Sequence, residues 1–134
     1  MVKSFIVYQG EKHCELTHGP SGSKIETDAP KDNQGRGERF SPTDLAAAAL
    51  GSCALTVTAM AAEKDGLSLI GAQVEVEKEM LANPRRIGRL TMRMSLPKKL
   101  TPTERSKLEE VALNCPVIKS LHPDIDIQSE FIYI

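Results

Sequence analysis

Residues 41–56 read SPTDLAAAALGSCALT, and the interpretation of this run decides the fold. Ser41-Pro42 is a helix start. A serine at the N-cap accepts an orphan backbone N–H, and proline at the first helical position is already held at the required φ. Asp44 places an acid in the first turn, where the helix dipole favours it. No charge follows until Glu63, and Asp65-Gly66 is a C-terminal signal. The pattern predicts one helix from Pro42 to about Lys64, long and poor in charge, as the central element of the fold. Its uncharged part, Leu45 to Ala62, sits at the lower edge of a membrane-spanning length of about 18 residues. Only Leu45, Leu50, Leu55, Val57 and Met60 in it are strongly apolar, and Glu63, Lys64 and Asp65 follow at once. The run therefore reads as a helix packed inside a soluble protein, with no membrane partner.

Upstream of this helix the pattern is of strands. Val2 to Gln9, His13 to His18 and Lys24 to Thr27 are separated by the turn signals Gln9-Gly10 and Gly19-Pro20-Ser21-Gly22. Residues 29–39, APKDNQGRGER, are polar and rich in turn formers, which predicts a loop, mobile if nothing holds it. Downstream, Leu69 to Met80 alternates Val74 and Val76 with Glu75 and Glu77, the mark of a half-buried strand. After Asn83-Pro84, the run Ile87 to Leu96 alternates through Leu90, Met92, Met94 and Leu96, completing a long antiparallel hairpin. Thr101-Pro102 opens a second helix, Pro116 starts a short helical turn to Leu121, and Ile125 to Ile134 closes the chain as a strand. Strands grouped around two helices argue an α+β fold rather than parallel βαβ units. At 134 residues the chain is expected to form a single domain, residues 1–134.

Composition narrows the function. Seventeen basic residues face 18 acidic ones, for a net charge of -1, so nothing points to nucleic acid. Aromatic residues make up 4% and there is no Trp, which leaves little for stacking bases. Three cysteines far apart, Cys14, Cys53 and Cys115, do not resemble a secreted disulfide framework. The first apolar run is soon interrupted by charge and is not a signal peptide, so a cytoplasmic, reducing location is expected.

Each cysteine has a bland reading and a chemical one. Cys53 in an apolar helix is most simply a small buried hydrophobe. It lies about three turns beyond Pro42, past the reach of the helix dipole. A reactive Cys53 would need a tertiary partner, most plausibly an arginine. Cys115 precedes Pro116 and so caps the short helical turn, where backbone N–H groups favour a thiolate. The alternative is that Cys115-Pro116 merely breaks a helix at a buried bend. Cys14 and His18 share a strand face about 13 Å apart, too far for one metal ion, so no metal is expected and Cys14 reads as incidental. No C-x-x-C, glycine-rich phosphate loop or H-E-x-x-H is present. Gly35-Arg36-Gly37-Glu38-Arg39 reads as a solvated loop, or as a source of guanidinium for a thiol.

The helix entry SPTDLAAAALGSCA followed at a distance by NCPV resembles the OsmC/Ohr family of osmotically inducible and organic hydroperoxide resistance proteins. The strand and helix order fits along nearly the whole chain. The resemblance implies antiparallel sheets around a long central helix in an intertwined homodimer. It implies a cofactor-free thiol peroxidase, an antioxidant stress-response enzyme that reduces organic hydroperoxides. Cys53 would be the peroxidatic residue, Cys115 the resolving thiol, and an external dithiol the reductant. Arg39 or Arg36 would hold the thiolate, with Glu38 as the arginine's anchor. Family members carry a glutamate directly after the helix-starting proline, where this chain has Thr43. That departure leaves a second reading, an OsmC-like binding or redox-sensing module without efficient turnover.

Overall fold

The computed structural model describes residues 1–134, which form two compact units, Met1–Ala46 and Ala47–Ile134. The first unit is an antiparallel sheet of three strands in chain order, β1 (Ser4–Tyr8), β2 (His13–His18) and β3 (Lys24–Asp28). Its register pairs Tyr8 with Cys14 and His13 with Asp28. All five residues of β1 are exposed, including Phe5, Ile6, Val7 and Tyr8, so this sheet has no apolar core of its own. The loop after β3 begins with a 3₁₀ turn, Lys31–Asn33.

Helix α1 (Pro42–Lys64) has the predicted limits. Ser41 Oγ accepts the Asp44 N–H at 3.0 Å, and Asp44 Oδ2 accepts the Ser41 N–H at 3.0 Å. This reciprocal box satisfies two backbone donors at the helix start. Within the second unit, Ala47, Leu50, Gly51, Ala54, Thr58 and Ala62 form the buried stripe of the helix. Ser52, Thr56, Met60 and Glu63 are exposed on another side, so the helix is buried along one face rather than throughout. It is long and apolar enough to cross a membrane by length and composition, with 33% of its most apolar window buried.

The second sheet holds β4 (Gln73–Leu81), β5 (Arg86–Leu96) and β6 (Asp126–Tyr133), ordered β4-β5-β6. The expected β4–β5 hairpin is present, starting at Gln73 rather than Leu69. Leu90, Met92, Met94 and Leu96 are at most 1% exposed, as their alternation predicts. Closing strand β6 pairs with β5 in parallel, which departs from an all-antiparallel sheet. Alternation reports which face a residue occupies, not the direction of a neighbouring strand. Gly51 packs α1 directly on β4: a Cβ there would lie 2.8 Å from Val76 Cγ2 and 3.2 Å from Val74 Cγ1. Helices α2 (Pro102–Leu113) and α3 (Pro116–Ser120) complete the unit, α2 opening with a capping box between Thr101 and Glu104. Leu108, Ala112 and Cys115 join the same core.

Candidate functional site

The second unit brings Cys53 and Cys115 together. Cys53 is half-buried midway along α1 and packs against the core. Cys115 is 1% exposed and occupies the N-cap of α3, because Pro116 cannot continue α2 and starts a new helix. Both are free thiols, and the Cys53 sulfur interacts directly with the Cys115 side chain. Two elements far apart in sequence thus converge on one sulfur pair.

The environment of Cys115 corrects the expectation drawn from its N-cap position. Burial pushes its thiol above the ordinary value of 9.0, and the neighbouring Cys53 sulfur pushes it further. The Ile118 and Val117 amides oppose the shift, but the sulfur makes no formal capping hydrogen bond. Desolvation outweighs the amides because a buried thiolate loses its water. Cys115 is therefore the thiol that keeps its proton, and any negative charge on Cys53 reinforces that.

The first unit holds the candidate cations. The 29–39 loop is not free: Asp28 Oδ2 accepts the Glu38 N–H at 3.1 Å, and Ala29 O accepts the Gly37 N–H at 3.2 Å. Gly35 lies so close to Ala29 that an added Cβ would overlap its carbonyl oxygen at 1.7 Å. Arg39 Nε donates to Glu26 Oε2 at 3.2 Å, and Arg39 Nη1 donates to Glu38 O at 3.0 Å. Arg36 pairs with Glu11 at 3.0 Å and stands 4.0 Å from Asp28. The carboxylate that anchors Arg39 is thus Glu26, while Glu38 engages Arg39 through its backbone carbonyl. Asp44, adjacent to Thr43, is committed to capping α1.

Sequence reading missed the residues behind this loop. His13 Nδ1 lies 2.5 Å from Asp28 Oδ1 and Nε2 lies 3.2 Å from Glu26 Oε1. Asp28 is 1% exposed. The signal was available: counting outward from the Thr17–Lys24 pair at the hairpin turn sets His13 opposite Asp28, one residue beyond the expected end of the third strand. Cys14 pairs with Thr27 on the same sheet.

The site is thus a half-buried thiol beside a buried one that keeps its proton. The family model for OsmC-like proteins matches residues 35–130, and this chain belongs to that family. A solved protein of Psychrobacter arcticus 273-4, provisionally named for osmotic stress induction and a detoxification response, is similar at 40% identity. Its TM-score is 0.94, covering 98% of this chain and 96% of that one. The organic hydroperoxide resistance protein OsmC of Legionella pneumophila shares the fold at 17% identity, with a TM-score of 0.79 over 98% and 96% of the two chains. OhrB of Bacillus subtilis, also an organic hydroperoxide resistance protein, does so at 17% identity and a TM-score of 0.69, over 98% and 97%. No curated protein matches the sequence significantly.

Proposed function

We propose that the chain is a thiol-dependent peroxidase that reduces organic hydroperoxides. The observation that carries this reading is the contact between half-buried Cys53 and buried Cys115 in an OsmC-like chain. In the proposed cycle the Cys53 thiolate attacks one peroxide oxygen and the O–O bond breaks. Cys53 becomes a sulfenic acid, and the alkoxide takes a proton to leave as the alcohol. The Cys115 thiol then attacks the sulfenic sulfur, forming the disulfide and releasing water. Cys115 suits this second step because its proton is retained at neutral pH and can leave with the hydroxyl. A dithiol reductant restores both thiols by exchange, itself becoming a disulfide. Rapid closure protects the sulfenic acid from further oxidation.

On family resemblance alone the reading gives Arg39 the task of holding the Cys53 thiolate; the carboxylate that holds Arg39 in turn is Glu26 rather than Glu38. It also takes the chain as cytoplasmic and as a homodimer; the consecutive exposed residues Phe5, Ile6, Val7 and Tyr8 support the association. Sedimentation should then report twice the 14.6 kDa of one chain. The deciding experiment is peroxide consumption with a dithiol in wild type, Cys53→Ser and Cys115→Ser. Turnover is expected to vanish in the first variant, and the second should accumulate sulfenic or sulfinic acid at Cys53. Equal turnover by wild type and Cys53→Ser would overturn the assignment. The sensing reading draws on Thr43 standing in the family's glutamate position. It predicts a Cys53–Cys115 disulfide after mild peroxide but no multiple turnover.

A further inference from the structure

We propose that His13 is a positioning residue whose imidazolium fixes the loop carrying Glu38 and Arg39 by donating to Asp28 and Glu26 at once. Each ring nitrogen faces a carboxylate oxygen, at 2.5 Å and 3.2 Å, and only the doubly protonated ring can donate to both. The two carboxylates are the loop's anchors. Asp28 uses its other oxygen to accept the Glu38 N–H, and its own N–H donates to Phe40 O at 3.1 Å. Glu26 uses its other oxygen to accept from Arg39 Nε. One ring thus holds the backbone of the loop through Asp28 and its terminal guanidinium through Glu26.

The charges around the ring favour its protonated state. Glu26 and Asp28 face it from β3; Arg36 and Arg39 come from the loop, where Glu38 contributes its backbone, and Glu11 comes from the β1–β2 turn. Asp28 is buried, so it is the partner that can least spare a donor. When the ring loses a proton, the remaining N–H stays with Asp28. The Nε2 lone pair then faces a Glu26 oxygen, and that contact turns repulsive. Glu26 is left to Arg39 alone, so the pair is free to move together while Glu38 stays pinned. Consistent with this geometry, the Asp28 hydrogen bond holds the His13 ring above its ordinary value of 6.5, against the opposing effect of burial. The pinned arrangement therefore outlasts pH 6.5 and is lost as pH rises past the midpoint of the ring.

The effect on turnover rests on the peroxidase reading and on Arg39 serving Cys53; the proton-controlled clasp does not. The test is an NMR titration of the full chain, following the His13 ring and the Arg39 Nε–H signal from acid to mildly alkaline pH. In wild type, Arg39 Nε–H should move with the His13 midpoint, and that midpoint should lie above 6.5. In His13→Gln the coupled step should disappear while the core methyl signals of Leu90 and Met92 stay in place. Glu26→Gln, which keeps the buried Asp28 pair intact, should lower the His13 midpoint and abolish the coupling, so it decides the matter even if His13→Gln does not fold. A step in Arg39 that survives either substitution, or a His13 titration that leaves Arg39 unmoved, overturns the proposal. If the enzyme turns over, the ratio of His13→Gln to wild-type rates should climb toward one above the His13 midpoint. If neither protein consumes peroxide, the peroxidase reading fails and the NMR result still judges the clasp.

Discussion

The two sheets of this protein are built on opposite principles. The second buries four consecutive inward residues of β5, Leu90, Met92, Met94 and Leu96, against α1 and α2. The first leaves every residue of β1 exposed, and its buried residues include a carboxylate, Asp28, held by His13 and a backbone amide. Burial of apolar surface is insensitive to pH, whereas a network of ionised groups exists only while each member keeps its proton state. The thiol pair lies in the apolar unit and the candidate arginines Arg36 and Arg39 in the ionic one.

This contrast can be broken most directly at Leu90. Leu90→Ala should lower the unfolding free energy by about 2–5 kcal/mol, read by urea denaturation, because the lost side chain leaves a cavity in the sheet core. A loss well below that range would mean the second sheet is not the cohesive unit. Gly51→Ala should come next, at about 1–3 kcal/mol, since its methyl group would press on Val76 and Val74. Removing the capping box of α2 with Thr101→Ala should cost about 1 kcal/mol, leaving the Cys53–Cys115 contact unchanged.

The pH dependence sharpens the comparison from the other side. His13 is raised from 6.5, so its contribution is complete below that value and fades as pH rises through its folded midpoint. Asp28 and Glu26 are lowered, chiefly by hydrogen bonds from His13 and Arg39 respectively. Their contributions are complete above 3.8 and 4.5 and fade as pH falls through the folded midpoints. Hydrogen exchange, corrected for intrinsic rates, should show the 29–39 backbone best protected between 4.5 and 6.5. Protection of β5 should stay flat there, because the raised Cys115 thiol weakens its unit only above 9.0. Equal pH sensitivity in both regions would refute the division. The smallest effect on the chain's own stability is expected from Ile6→Ser. Its loss of melting temperature should grow with protein concentration, the mark of association rather than of a core.

Much of this was legible in the residues. Ser41-Pro42 and Asp65-Gly66 bounded α1, the alternation of β5 named its four core residues, and Pro116 placed Cys115 at a helix start. These are local signals, each written within a few residues of its effect. Other features depended on partners remote in sequence. The parallel pairing of β6 with β5 could not be read from alternation. The proton state of Cys115 turned on burial by α2, the β5 core and Cys53, which outweighs the amides that its N-cap position advertises. His13, beside an apparently incidental Cys14, gained its role only when strand register set it between two carboxylates.

The sequence by itself thus determined the elements, their order, the family and the two thiols, because helix caps, periodicity and proline act over short range. Tertiary structure alone decided that the two sulfurs meet and that the buried one holds its proton. It also decided that Arg39 is anchored by Glu26, since desolvation and ion pairing depend on distances that no local pattern encodes.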